Sequence, residues 1–310
     1  ILSGLVGSEM CIRDRQEASW RIAMSGSPKP MIVDQSGGGD FRTINAAIRN
    51  ARPNSVLSVR PGTYRESIKL STSIEIIADG PVGSVILETT DVVAIDVAGG
   101  APRIRGFVIR SNSENDDFVE IGYTRDPVAV RVQSGTPYFD ACTISARHGA
   151  GVLLEGKDAN PYFHACRIYE CQTNGIDCIS ESRGTFDNCD VASNKGCGIE
   201  VVNWADPVLK NCTVRDGLSH GVRIGSEGKG TYESCTIVRN NGCGIIVRKN
   251  GDPVVRRCTI RDWTTRGIYV TTYGKGTFES CELIGTAGPA WVVEPRARGV
   301  RRNNRPEAPR

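Results

Sequence analysis

The sequence predicts an all-β fold, a single-stranded right-handed parallel β-helix of about nine to ten coils, with one short helix over its N-terminal end. Three observations predict it. Cys142, Cys166, Cys189, Cys212, Cys235, Cys258 and Cys281 recur at spacings of 24, 23, 23, 23, 23 and 23 residues, a period too short for two-helix solenoids. Apolar residues alternate around each cysteine with a period of two, the pattern of strands. A glycine stands nine residues after each cysteine, from Gly151 through Gly175, Gly198, Gly221 and Gly244 to Gly267, and Ala290 closes the series.

Aligned on the cysteines, the inward slots fill themselves. Three positions before stand Phe139, Phe163, Phe186, Leu209, Tyr232, Val255 and Phe278; two after stand Ile144, Ile168, Val191, Val214, Ile237, Ile260 and Leu283. Ten and twelve after come pairs such as Ile176/Cys178, Ile199/Val201 and Val222/Ile224. Each unit therefore reads as two short strands and a glycine corner. A unit that cannot bury its own apolar face must stack on copies of itself, and this stack makes a rod roughly 45 Å long. Upstream the slots continue with less fidelity through Ile104, Phe107, Ile109, Val128 and Val130, and residues 56–59, 74–77 and 92–97 read as three further strands. The one helical stretch, Asp40 to Ala51, places Ile44, Ala47, Ile48 and Ala51 on one face. It is expected to cover the first coil, whose open edge would otherwise invite pairing.

The chain has 310 residues, 35 of them glycine without a three-residue period, and a net charge of +3. Collagen-like and disordered classes are excluded, and so balanced a charge does not argue for nucleic acid. No run of about 18 apolar residues offers a membrane span. Twelve cysteines are present, and seven in one inward column suit packing as small hydrophobes better than disulfide bonding. No C-x-x-C pair suggests zinc, and reduced thiols without an export signal point to a cytoplasmic protein. Residues 1–23 read as an artefact or a disordered leader outside the fold, residues 31–295 as one β-helix domain, and residues 296–310, with six Arg, as a basic disordered tail. Such a chain is either a piece of a larger multidomain protein or a monomer.

The outward slots carry the chemistry. Two positions before the cysteines, Asp140, His164, Asp187, Lys210, Glu233, Arg256 and Glu279 form a ladder of alternating charge, the arrangement that favours register between neighbouring strands. Eleven positions after come Leu153, Asp177, Glu200, Arg223, Ile246 and Tyr269. One coil of separation brings Asp177 and Glu200 within reach of each other as paired carboxylates. Arg223 follows, with His220 at the adjacent corner, so Asp177, Glu200, Arg223 and His220 are the candidate catalytic set. Trp204, Trp263 and Tyr269 are candidate ligand platforms. The long turn over 111–126 carries Asp116, Asp117 and Glu120, a candidate calcium lip; no other metal or cofactor is expected.

Turns of the type Asp206-Pro207 and Asp252-Pro253 alternate with Gly228-Lys229-Gly230-Thr231 and Gly274-Lys275-Gly276-Thr277, a 46-residue double period around C-x-I and G-I-x-V. This pattern, over residues 32–293, resembles the PbH1 or CASH β-helix repeats of the pectin lyase-like fold, including the β-helix region of an F-box-only protein. No F-box segment is present. Gly62-Thr63-Tyr64-Arg65-Glu66 is similar to the first pectinesterase motif, G-x-Y-x-E, but the later Q-D-T, D-F-I-F-G and G-R-P-W motifs are absent. Residues 219–226 (SHGVRIGS) are similar to the G-H-G-x-S-I-G-S motif of polygalacturonases, and residues 177–180 to the end of their D-D-C-I-S, with Ile176 in place of the first Asp; N-T-D and R-I-K are missing. The resemblance implies the fold, which serves enzymes and binding modules alike. The expected function is a non-catalytic recognition or scaffold module binding a protein or glycan ligand on its sheet faces. The alternative is a carbohydrate-active enzyme, a hydrolase or lyase acting on acidic polysaccharide. A purely structural spacer comes third.

Overall fold

The structure is a computed structural model that describes residues 29–113, 127–285 and 287–306. Its strands form three parallel sheets wound as one solenoid of about eleven turns. Sheet 1 has twelve strands, from Met31–Val33 to Arg298–Arg302; sheet 2 has ten, from Ile68–Leu70 to Trp291–Val293; sheet 3 has ten, from Gly62–Arg65 to Glu282–Ile284. In each sheet a strand pairs with its counterparts in the coils before and after, as Asp206–Lys210 does with Arg183–Asp187 and Thr231–Glu233.

Each coil holds three strands, one more than its apolar pattern suggests. In one coil these are Asp206–Lys210, Thr213–Arg215 and Val222–Ile224. The first two are separated by Asn211 and Cys212, of which Asn211 is left-handed at φ +53°, and the same corner is turned by Asn188 at +54°, Ser234 at +54°, Arg257 at +52° and Ser280 at +55°. The bend shifts the alternation by only one residue, from Leu209 three positions on to Cys212 and two more to Val214, so two strands read as one. The left-handed conformation is unfavourable for residues with a Cβ, yet it recurs here with each corner N–H bonded to the residue just before the corner of the next coil: Asn211 N–H donates to Glu233 O at 3.0 Å and Asn188 N–H to Lys210 O at 3.0 Å.

The cysteine column lines the inner side of this corner. All eleven described cysteines are free and buried. The Cys212 thiol donates to Phe186 O at 3.3 Å and Lys210 O at 3.2 Å, and the Cys189 thiol to Phe163 O and Asp187 O, both at 3.5 Å. Burial pushes the Cys171 thiol up to about 12 and holds that of Cys178 well above its ordinary value, so these are packing atoms rather than nucleophiles. Beside them Phe139, Phe163 and Phe186 stack face to face at 4.6 and 4.9 Å between centroids.

At the N-terminal end the helix Ile44–Asn50 buries Ile44 and Ala47. Thr43 caps it, Oγ1 accepting from Ala46 N–H at 3.2 Å. The Glu66 carboxylate takes the N–H groups of Ile44 and Asn45, each at 2.8 Å. These are orphan donors of a first helical turn, and a carboxylate there also meets the positive end of the helix dipole. Tyr64 is buried, its hydroxyl donating to Arg60 O at 3.0 Å. The G-x-Y-x-E match thus has a structural role in this chain: it fastens the helix over the first coil.

The other end corrects the sequence reading, which closes the domain at 295 and leaves a disordered tail. Arg298–Arg302 is a strand of sheet 1 in full register with Lys275–Glu279. Arg302 lies opposite Glu279, extending the alternation of charge that runs through Glu233 and Arg256. Asn304 is buried, its Oδ1 accepting from Cys281 N–H at 2.9 Å and its Nδ2 donating to Phe278 O at 3.0 Å. Arginine-rich composition concealed this strand, because only Val300 among its side chains is apolar.

Candidate functional site

Along each strand of sheet 2 the residue between two inward apolar positions faces out. Asp177 lies between Ile176 and Cys178, Glu200 between Ile199 and Val201, and Arg223 between Val222 and Ile224, with all six flanking residues buried. Register stacks the outward positions into one column: Asp96, Arg131, Leu153, Asp177, Glu200 and Arg223 are opposite one another on successive strands. The Arg131 guanidinium clamps Asp96 with Nε at 3.0 Å and Nη2 at 3.1 Å.

The centre of the column is tied by a residue the sequence reading passed over. Asn174 Nδ2 donates to Asp177 Oδ1 at 2.7 Å and to Glu200 Oε2 at 2.9 Å. Glu200 Oε2 also accepts from Arg223 Nη2 at 2.5 Å, while Arg223 Nε is buried with no acceptor among the described residues. Asn174 Oδ1 meanwhile accepts from Cys197 N–H at 2.7 Å, which fixes the amide in place. The signal was available: Asn174 stands eight residues after Cys166, the slot that His220 occupies after Cys212.

These residues line a groove of about 480 Å³. Val128, Leu153, Ile179 and Val202 supply its apolar part, and Arg248 and Lys249, both exposed, stand on its rim. The groove is open to solvent along the sheet, and its polar groups are already oriented by one another.

His220 lies at the corner beside this column. Its Nδ1 accepts from Cys243 N–H at 3.0 Å, so the neutral ring carries its proton on Nε2. Burial first, then Arg223 and Arg248, hold its pKa below 6.5. As pH falls, the unfolded chain takes up this proton near 6.5 while the folded protein resists until a lower pH, so stability is full above about 6.5 and declines below it. Asn174 already performs the same hydrogen bond two coils earlier. His220→Asn is therefore expected to fold normally and to flatten the decline in melting temperature between pH 7 and pH 5; an unchanged decline would place its cause elsewhere.

Of the three aromatic platforms, the structure presents one. Trp204 is 60% exposed on a left-handed turn residue beside the groove. Trp263 is a correction: it is 2% exposed, its Nε1 donates to Gly288 O at 3.2 Å, and it belongs to the core. The space it fills is left by Gly267 and Gly285, whose Cβ atoms would lie 3.1 Å or less from its ring. Tyr269 lies two strands beyond Arg223, with Arg266 over its ring at 4.5 Å and its hydroxyl donating to Glu294. It is outside the groove. Asp116, Asp117 and Glu120 lie outside the described residues, and no metal-holding cluster of three His, Cys, Asp or Glu occurs among the described ones.

The family model described as the right handed beta helix region matches residues 92–209 and 205–307. Over 203 residues the chain is 27% identical to pectinesterase/pectinesterase inhibitor 18 of Arabidopsis thaliana, covering 57% of this chain and 34% of that protein. Over 74 residues it is 28% identical to F-box protein dre-1 of Caenorhabditis elegans, covering 23% of this chain and 8% of that one. The chain thus spans about a third of the length of the plant pectinesterase it matches. Among solved structures, the A-module of a mannuronan C-5 epimerase from Azotobacter vinelandii superposes with a TM-score of 0.58 at 13% identity, over 89% of this chain and 94% of that one. A tailspike capsular polysaccharide depolymerase from Acinetobacter baumannii bacteriophage Fri1 superposes with a TM-score of 0.56 at 11% identity, over 88% and 55%. At such identities the likeness is one of fold.

Proposed function

The chain belongs to the family of right handed beta helix regions, and on that footing we propose that it is a recognition module that holds a polysaccharide in the groove on sheet 2 without cleaving it. The observation that carries this reading is the Asn174 amide between the two carboxylates. A glycosidase needs its carboxyl pair to flank a scissile bond, about 5–9.5 Å apart with the reacting atoms between them. Here an amide nitrogen bridges the two carboxylates, and Glu200 Oε2, which it holds, also accepts from Arg223. Such a row serves binding well. The Asp177 and Glu200 carboxylates present acceptors and the Arg223 guanidinium presents donors, all already oriented around Asn174, so little ordering entropy is lost when sugar hydroxyls dock. Apolar side chains beside a few fixed polar groups are the usual composition of a small-molecule site.

Polysaccharide has first claim among ligands because the named activities of the epimerase and the tailspike are directed at polysaccharides. The test is to measure both binding and turnover of acidic and neutral polysaccharides by the wild type and by Asp177→Ala/Glu200→Ala. Binding without product, weakened at least tenfold in the double variant, is the expected result. New reducing ends or unsaturated products, lost in the double variant, would replace this reading with that of a hydrolase or lyase.

A further inference from the structure

Outward charges on sheet 1 alternate in sign from coil to coil, as from Glu233 to Arg256, Glu279 and Arg302. At one place the rule fails. Lys275 lies directly opposite Arg298, and like charges opposed on neighbouring strands are destabilising. Arg296, at the turn leading into Arg298, adds a third cation. With Asn250, Tyr273 and Ala297 these three line a second groove, of about 500 Å³, which contains no carboxylate. Of the acidic residues nearby in the chain and in the turn column, Glu294 and Glu227 are committed elsewhere, and Asp252, opposite Lys275 on the preceding coil, makes no ion pair with it among the described residues. Glu294 accepts from Tyr269 and, at 2.6 Å, from Thr272 N–H, and Glu227 accepts from Asn250 Nδ2 at 2.8 Å. Lys275, Arg296 and Arg298 make no ion pair among the described residues.

Tyr273 completes the arrangement. It is held on a left-handed turn residue at φ +68° and is 55% exposed. Arg296 Nη1 donates to its hydroxyl at 3.3 Å. An exposed ring with a polar tip beside uncompensated cations is suited to a ligand that joins a flat apolar face to a negative charge.

We propose that this groove is a second binding site, taking the carboxylate- or sulfate-bearing ring of an acidic glycan. It adjoins the sheet 2 groove: Lys249 lines the first and Asn250 the second. One extended glycan can therefore occupy both, the first groove reading its hydroxyls and the second its charge. The inference rests on the polysaccharide reading for the sugar, while the requirement for an anion stands on the second groove alone.

The experiment is a calorimetric titration with an oligouronate and with the same oligosaccharide after reduction of its carboxylates to alcohols. Lys275→Met/Arg298→Met is expected to weaken the oligouronate at least tenfold and to leave the neutral oligosaccharide unchanged, whereas Arg223→Ala weakens both. Should Arg223→Ala change nothing while the double variant still loses affinity, the sheet 2 reading fails and the anion site stands. Wild-type binding of the oligouronate that survives the double substitution, equal affinity for both probes, or no binding of the oligouronate overturns the proposal. Arg298→Glu gives a check independent of folding defects. It sets an opposite charge against Lys275 on the last described strand of the sheet, so the melting temperature is expected to rise by about 1–2 °C while oligouronate binding is lost; a fall in melting temperature counts against like charges being held there.

Discussion

Phe163→Ala is expected to lower the unfolding free energy by about 3–5 kcal/mol. The ring is wholly buried and stacked on both sides, at 4.6 Å from Phe139 and 4.9 Å from Phe186. In most cores the neighbours of a deleted ring relax inward. Here they belong to coils whose spacing is set by backbone hydrogen bonds, such as Ala165 N–H to Asp187 O at 3.0 Å, so the cavity cannot close. Solenoid stability is a sum of repeat and nearest-neighbour terms, and the loss falls on both interfaces of one coil. Urea unfolding followed by circular dichroism should show an earlier midpoint, with the two halves of the rod uncoupling. Phe163→Leu, which refills most of the volume, should recover more than half of the loss. A cost below about 1 kcal/mol for the alanine variant would show that the coils do close up.

Gly244→Ala has the second largest expected effect. A Cβ there would stand 2.3 Å from Ile260 Cγ2 and 2.8 Å from Gly267 O. Overpacking of this kind costs about 1–3 kcal/mol where side chains can move, and the carbonyl belongs to a backbone that cannot. The same approach recurs down the column: a Cβ on Gly175 meets Gly198 O at 2.7 Å, one on Gly198 meets Gly221 O at 2.8 Å, and one on Gly221 meets Gly244 O at 2.7 Å. Ala290 carries its Cβ at the last step of the series, where no further coil stacks on it among the described residues. Gly225→Ala is the control. Its Cβ would find only ordinary contacts, at 3.6 and 3.8 Å from Arg248, and the expected change is within about 0.5 kcal/mol. Melting curves of the two variants side by side decide the matter; equal losses would show that glycine is needed there for flexibility rather than for close approach.

The two stability predictions concern what the sequence displays most openly, and the binding predictions concern what it hides. Asp177, Glu200 and Arg223 are legible as neighbours because they share one slot of the repeat, and the structure sets them in register. That they are bridged is not legible. Asn174 reaches both carboxylates from a corner, and corner geometry depends on turns that the period does not encode. The Trp263 side chain turned inward for a related reason: the glycines that make room for it, Gly267 and Gly285, lie at different places in the repeat.

The sequence by itself determined the winding of this chain: the strand direction, the register of every coil from Cys142 to Cys281, the inward columns of Phe, Cys and Ile, and the glycine corner. It could do so because parallel stacking places each residue against its own equivalents one period away, so a one-dimensional pattern carries the three-dimensional contact. Only the tertiary structure decided the third strand of each coil, the continuation through Arg298–Arg302, the Asn174 bridge and the cation groove around Tyr273. Those features arise where single left-handed residues turn the chain and where side chains of unlike coils meet. Neither is legible in the sequence, because a bend of one residue shifts an apolar alternation by only one position and a contact between unlike positions does not repeat.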